Sequence, residues 1–149
     1  MMHMHHDLAQ PSSLPCACTT LRKATRVVSR LYDEALSGSG MTATQLAILR
    51  SLGRTGTAPL SRLAEAMVMD RTTLYRALAP LTAAGWIDIA TPERGRAKTA
   101  ALTAPGRAAM DAAAPGWEAA QDRFVSEFGA EKWMALHAVL GDILALPSL

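Results

Sequence analysis

The fold is decided by residues 57–85, which read TAPLSRLAEAMVMDRTTLYRALAPLTAAG. Apolar residues recur there at helical spacing, and the pattern predicts two short helices with a break of a few residues between them. Pro59 suits the first turn of the first helix, where a missing N–H removes no hydrogen bond. Asp70 suits the N-cap of the second helix, because its carboxylate can accept hydrogen bonds from the N–H groups of Thr72 and Thr73. The stretch is therefore predicted to be two helices joined by a tight turn.

The second of these helices has two different sides. Its apolar side is formed by Leu74, Ala77, Leu78 and Leu81, and its other side carries Arg71, Thr72, Thr73, Tyr75 and Arg76. A helix-turn-helix has this layout, in which the second helix enters the major groove of DNA by its N-terminal turns. A solvated face in an ordinary helical bundle is the alternative interpretation, because such a pattern alone is not specific.

A basic hairpin is predicted directly after Gly85, which suits the C-terminal cap of the second helix. Residues 86–91 alternate like a short strand, residues 92–98 form a basic turn, and residues 99–103 are predicted as a second strand. Behind a helix-turn-helix, such a hairpin is the wing of a winged helix and brings cations to phosphates or to the minor groove. A merely solubilising surface hairpin is the alternative, which its position in the chain disfavours.

Positive charge is concentrated in the same part of the chain. Between Arg54 and Met110 there are eight Lys and Arg residues against four Asp and Glu residues, a formal charge of +4. The rest of the 149-residue chain carries seven basic and nine acidic residues, or −2, so the total of +2 hides the asymmetry. Electrostatic attraction to DNA phosphates requires a local concentration of this kind.

Length and composition restrict the class of protein. The 149 residues suffice for one domain, and a chain that is 50% hydrophobic and 5% aromatic, with many Ala and Leu, favours a mainly helical fold. No apolar run approaches the length of a bilayer span and no signal-peptide core is visible, so we expect a soluble, cytoplasmic protein without membrane association. No nucleophile–base pair or phosphate-cradling glycine loop is recognisable, so neither an enzyme nor a cofactor is predicted.

The two ends of the chain are predicted to differ from this central part, residues 42–103. Residues 1–15 are expected to form an extended arm; its histidines, His3, His5 and His6, lack matching Cys or acidic ligands, so no metal site is predicted. A helix is predicted at 19–37. Residues 104–146 are predicted to form a long helix that is kinked at Pro115 and a last helix from about residue 130. That last helix is expected to bury Trp133, Leu136, Leu140, Ile143 and Leu144.

Two further helix caps are visible in the sequence. Thr42 and Gln45 form a capping box at the start of a helix whose inner face is Leu46, Leu49 and Leu52. Thr103 suits the N-cap of the long helix, with Pro105 in its first turn.

The helices at 19–37 and 104–146 carry more apolar surface than the central part can cover. Burial of apolar surface contributes about 25 cal/mol per Å², so a second copy of the chain is the predicted partner. A two-fold homodimer would present its two recognition helices to successive major grooves of an inverted repeat in double-stranded DNA. A monomer with one well-packed core is the alternative.

Residues 60–106, from LSRLAEAM to LTAPG, resemble the winged helix-turn-helix of the MarR family of bacterial transcriptional regulators, and the order of elements over about residues 19–146 fits that family. The resemblance implies a single domain over 1–149, a homodimeric repressor, and a small-molecule effector, often an aromatic acid, in the cleft between the dimerisation helices and the winged helix. In the family, the wing carries an acidic-x-Arg motif. Here the tip arginine is present as Arg96, whereas Arg94 replaces the acidic residue.

The predicted contacts with DNA follow from these elements. The support helix, the recognition helix and the wing are expected to contribute Ser61, Arg62, Arg71, Thr72, Thr73, Arg76, Arg94 and Arg96. A helical protein-interaction module that has a winged-helix shape and binds no DNA is the alternative function.

The two cysteines are candidate redox-sensing residues. Cys18 is expected at the start of a helix, where the helix dipole and Arg22 would favour the thiolate. A cysteine there, with Tyr32 fourteen residues later, resembles the hydroperoxide-sensing branch of the MarR family, although Arg22 stands where that branch has a second tyrosine. Cys16 is too close to Cys18 for an ordinary intrachain bridge, which leaves a bond between subunits or to a small thiol. Two structural thiols at the dimer seam are the alternative, which we favour because the sequence shows neither exposure nor a lowered pKa.

Overall fold

The structure, a computed structural model, describes residues 13–95 and 97–147. Its helices and strands are α1 (Ala17–Leu36), α2 (Ala43–Gly53), β1 (Thr57–Pro59), α3 (Leu60–Met67), α4 (Arg71–Ala83), β2 (Ile87–Ala90), β3 (Thr99–Leu102), α5 (Ala104–Phe128) and α6 (Ala130–Leu144). The mainly helical winged-helix fold with a small β-hairpin is therefore confirmed. Most of the predicted arm, with its three histidines, and Arg96 of the wing lie outside the described residues.

Side-chain caps set the starts of three helices as predicted. Thr42 Oγ1 accepts from Gln45 N at 3.2 Å and Gln45 Oε1 accepts from Thr42 N at 2.9 Å, which completes the capping box of α2. Asp70 Oδ1 accepts from Thr73 N at 2.7 Å at the start of α4, although Thr72 was expected to share this bond. Thr103 Oγ1 accepts from the N–H three residues later, at the start of α5. These bonds satisfy backbone donors that have no partner within the helix.

The sheet has three antiparallel strands in the order β1–β3–β2, one strand more than the sequence predicted. The hairpin pairs Ile87 with Leu102, and β1 pairs with the other edge of β3. The prediction that Pro59 lies in the first helical turn is wrong, because this residue ends β1 and is the N-cap of α3. Its extended backbone is held by the ladder and by the bond from Leu60 N to Lys98 O at 2.9 Å.

One apolar core joins α2, α3, α4 and the sheet. Its largest buried side chains are Leu36, Leu46, Ile48, Leu49, Leu52, Leu63, Leu74, Leu78, Leu81 and Ile87. The apolar stripes predicted for α2 and α4 are therefore confirmed, with Ala77 partly buried at the edge of the core. This packed core supports the exposed side chains of α3, α4 and the hairpin.

The long helix α5 runs without interruption through Pro115 and connects this core to the N-terminal helix. Gly116 packs so closely on α1 that an added Cβ would lie 2.5 Å from the carbonyl oxygen of Ala35. As predicted, the proline does not divide the helix in two.

The prediction that α6 buries its apolar residues is wrong for the single chain. Leu136, Ile143 and Leu144 are 37%, 42% and 70% exposed. The reason is that α6 packs mainly on the end of α5, where the Phe124 and Trp133 rings meet edge to face with centroids 5.5 Å apart. No helix among the described residues is long and apolar enough to span a bilayer.

Candidate nucleic-acid interface

The polar side of α4 is turned to solvent because its apolar side is fixed in the core. Leu74, Leu78 and Leu81 are at most 1% exposed. The residues predicted for DNA contact on this helix, Arg71, Thr72, Thr73 and Arg76, are all exposed. A helix held this firmly can present its side chains to a groove without losing much conformational freedom.

The Asp70 cap adds to the rigidity of the first turn of α4. Hydrogen bonds from Thr73, first of all from its backbone N–H, hold the pKa of Asp70 below the ordinary value of 3.8. The carboxylate is therefore ionised near neutral pH. It accepts a hydrogen bond from the backbone of its own helix, and Arg71 is the next residue in the chain.

The turn between α3 and α4 is tight. Val68 has a φ of 52°, in the left-handed region, and Met69 N donates to Ala64 O at 2.9 Å. A β-branched residue is rare in this conformation, so no sequence signal pointed to it. The turn fixes the support helix against α4 and leaves Ser61 and Arg62 exposed on the first turn of α3.

The wing connects β2 to β3. Arg94 is exposed at its tip, beside Gly95, whose φ of 90° allows the chain to reverse. Arg96 lies outside the described residues. The base of the wing is anchored to α3 by the hydrogen bond from Leu60 N to Lys98 O.

A cleft of about 240 Å³ lies where α3, α4 and the base of the wing meet. It brings together two predicted residues, Ser61 and Arg71, with two that the sequence analysis did not select, Tyr75 and Lys98. The Lys98 Nζ lies 5.8 Å from the centroid of the Tyr75 ring. No local pattern links residues 23 positions apart, so only the fold shows that they are neighbours. On the other side of α3, Arg62 shares a shallow cleft with Arg54, which was also not selected.

The model of the MarR family matches residues 41–89, from the start of α2 to the middle of β2. The crystal structure of the Mycobacterium tuberculosis transcriptional regulator MosR in complex with DNA is 32% identical to the chain, with a TM-score of 0.73, over 89% of this chain and 100% of that one. The chain belongs to the MarR family.

Other solved structures share the fold. A probable transcriptional regulator from Pseudomonas aeruginosa is 26% identical, with a TM-score of 0.75, over 85% of this chain and 96% of that one. BpsR from Bordetella bronchiseptica, whose DNA binding is regulated by 6-hydroxynicotinic acid, shares the fold with a TM-score of 0.77 at 19% identity, over 93% of this chain and 98% of that one. Comparison with curated protein sequences gave no match.

The two cysteines of this MarR-family chain lie at the exposed start of α1. Cys18 lies in the first turn of α1, as expected. Cys16 is the N-cap of this helix, and its Sγ accepts from Thr19 N at 3.5 Å. Hydrogen bonds from Thr19, those of its side chain first, lower the pKa of Cys16 below the ordinary 9.0. Both thiols are accessible in the single chain.

Tyr32 does not approach either cysteine of its own chain. It lies fourteen residues after Cys18 on the same helix, or about 21 Å at 1.5 Å per residue. Its hydroxyl donates to Gln121 Oε1 on α5. Burial raises the pKa of Tyr32, and the charge of Arg50 opposes that increase. Among residues 13–95 and 97–147, no group of three or more His, Cys, Asp or Glu side chains is arranged to hold a metal.

Proposed function

We propose that the chain is a cytoplasmic, homodimeric, sequence-specific DNA-binding repressor without catalytic activity. The observation that carries the proposal is the orientation of α4: its leucines are locked in the core, so Arg71, Thr72, Thr73 and Arg76 project from the protein. In a MarR-family chain 32% identical to a regulator solved with DNA, this side is the natural reader of a major groove.

Each residue predicted to contact DNA has a role in this proposal. The α4 arginines and threonines contact base edges and phosphates at the major groove, and Ser61 and Arg62 contact the backbone from α3. Arg94 and Arg96 act from the wing at the adjacent phosphates or minor groove. Contacts to base edges provide the sequence specificity, whereas contacts to phosphates position the protein.

The proposed dimer would form through α1, α5 and α6. Apolar side chains on these helices are open in the single chain, among them Val27 at 68% and Met134 at 65% exposure. A cleft of about 450 Å³ lies between α1, α5 and α6, is lined mainly by apolar groups and includes the exposed Leu21 and Leu136. Exposed apolar surface of this kind marks an interaction site. A two-fold pairing would place two α4 helices on the half-sites of an inverted repeat.

Release from DNA would come from a change in the spacing of the two recognition helices. Either a small ligand or oxidation of the exposed thiols would change this spacing. Each would release the protein only to the extent that it stabilises the arrangement that does not fit DNA. For the redox route, a hydroperoxide oxidises the thiolate to a sulfenic acid, and a second thiol then displaces water to form a disulfide between subunits or with a small thiol. Accessible thiols, one with a lowered pKa, support this route.

Selection of bound sites from a random double-stranded DNA pool tests the proposal. The expected result is enrichment of an inverted repeat with half-sites about one helical turn apart, bound by a species with twice the chain mass in light scattering. Recovery of no motif, together with affinity that does not change with salt, would contradict DNA binding and favour the protein-interaction module. A peroxide titration of free thiols beside the same DNA assay separates redox control from ligand control.

A further inference from the structure

The cleft between α3, α4 and the base of the wing has the chemistry of an anion site. Two cations from different elements, Arg71 of α4 and Lys98 just before β3, line it together with the Ser61 and Tyr75 side chains. Among the described residues that line it, none is acidic. Neither cation is in an ion pair with a described residue. The one ion pair found among the described residues joins Arg123 to Glu127 on α5. Both charges are therefore free to bind an external anion.

Lys98 is held at the cleft from two directions. Its carbonyl oxygen accepts from Leu60 N at 2.9 Å, which ties its backbone to the start of α3. Its Nζ lies over the ring of Tyr75, 5.8 Å from the centroid, within the range of a cation–π contact. A lysine restrained in this way loses less conformational freedom on binding than an unrestrained surface lysine.

The size and position of the cleft fit a phosphodiester. Its volume of about 240 Å³ is several times that of a water molecule, about 30 Å³. It lies between the recognition helix and the wing, which are expected to contact DNA on either side of one backbone strand. A phosphate of that strand would thus enter the cleft when both elements engage.

We propose that this cleft binds one phosphate of the DNA backbone, with Lys98 and Arg71 as its cations and Tyr75 as the residue that positions Lys98. The inference rests on the proposed function, since the ligand is DNA. It adds two residues, Tyr75 and Lys98, to the interface. It also gives Lys98 a phosphate contact that carries no sequence information.

The salt dependence of DNA binding tests the role of Lys98. Each neutralised phosphate contributes about 0.9 to the slope of log K against log salt concentration. We expect Lys98→Met to lower that slope by about 0.9 and to weaken binding to a selected duplex and to a scrambled one by the same factor. Lys132→Met is the matched control: it removes the same charge from a lysine that also lies on an aromatic ring, 4.7 Å from the centroid of Phe128, but at the start of α6.

Single methylphosphonate substitutions in the selected duplex identify the phosphate. One position per half-site is expected at which the neutral linkage weakens the wild type more than it weakens Lys98→Met, because the variant has only the Arg71 contact left to lose. Tyr75→Phe, which keeps the ring, should retain the wild-type salt slope, whereas Tyr75→Leu should lower it. Thermal melts confirm that each variant is folded; Lys98→Gln replaces Lys98→Met if the latter is not.

The outcomes separate this inference from the proposed function. If the wild type binds its selected duplex but Lys98→Met has the same salt slope and affinity as Lys132→Met, the cleft holds no phosphate, and DNA binding stands without it. If the wild type shows no salt-dependent binding to any duplex, the proposed function fails and this inference fails with it. If no methylphosphonate position removes the effect of the Lys98 substitution, the contact with a single phosphate is wrong.

Discussion

The guanidinium of Arg50 lies over the indole ring of Trp117, with its carbon 3.9 Å from the ring centroid. This contact joins α2 of the winged-helix half to α5, the helix that continues toward the proposed dimer surface. Both residues are half-buried, and the ring of Tyr32 on α1 lies 6.4 Å from the same indole. Three helices from the two halves of the molecule therefore meet at the Trp117 ring.

We expect Arg50→Gln to lower the free energy of unfolding by about 1–2 kcal/mol, because a partly desolvated cation–π contact is lost together with the packing of the arginine stem. Urea unfolding measures the change, and Arg26→Gln on the exposed side of α1 is the control. A double-mutant cycle with Trp117→Leu isolates the pair. A coupling energy near zero in that cycle would show that the two groups do not interact.

Gly106→Ala is expected to destabilise the fold by about 3 kcal/mol, at the upper end of ordinary overpacking. An added Cβ would lie 2.1 Å from the carbonyl oxygen of Trp86, which already accepts from Thr103 N. The start of α5 must then move away from the sheet. Gly38→Ala is the control, since nothing lies within 4 Å of its added Cβ. Equal stabilities of the two variants in urea would contradict the close approach.

The parts of the fold that local sequence could predict are those with local causes. Caps such as Thr42, Asp70 and Thr103 bond to their own helix, and the leucine stripes of α2 and α4 have a helical period, so both were found. The strand β1 was missed because three residues ending in Pro59 carry no strand pattern. Its extended backbone depends on pairing with β3, at least 40 residues later.

The candidate site shows the same division. The polar side of α4 could be predicted from spacing, whereas the pairing of Tyr75 with Lys98 depends on where the wing folds back. The apolar period of α6 predicted a buried face. An apolar period does not show which partner covers the face, and in the single chain Leu136, Ile143 and Leu144 of α6 are exposed. The start of α1 differed from the expectation by one or two residues, so that Cys16 is its N-cap and Cys18 lies in its first turn.

Asp70 makes part of the stability depend on pH. Because its pKa is lowered, its contribution is fully present above the ordinary value of 3.8 and is lost as the pH falls through the lowered pKa. The difference in unfolding free energy between the wild type and Asp70→Ala should thus be constant between about pH 5 and 7 and decrease below about pH 4. Asp70→Ser, a cap that does not titrate, should differ from Asp70→Ala by the same amount at every pH. If the difference in unfolding free energy between the wild type and Asp70→Ala did not decrease below about pH 4, the ionised carboxylate of Asp70 would not be what stabilises the helix.

Thr19 should control the reactivity of Cys16. The thiolate is the nucleophile, and hydrogen bonds from Thr19 lower the pKa of Cys16. In a Cys18→Ser background, Thr19→Val should shift the pH profile of alkylation by iodoacetamide to higher pH and slow the reaction near neutrality. Thr20→Val, one position further along α1, is the control. Identical profiles for the two threonine variants would show that the side chain of Thr19 does not stabilise the thiolate.

The arginines of α4 and of the wing should differ in what they contribute to DNA binding. Arg76→Ala should cost about 1–3 kcal/mol at the specific site and less on a scrambled duplex, because a base contact discriminates between sequences. Arg71→Ala should weaken both duplexes, because its proposed phosphate contact is made on each of them. Arg96→Ala should weaken both duplexes more evenly, as a backbone contact does. Gel-shift titrations on the two duplexes at one fixed salt concentration measure these losses, with Arg26→Ala as the control for the loss of one charge. If the wild type and all three variants bound both duplexes with equal affinity, α4 would not be the reading helix.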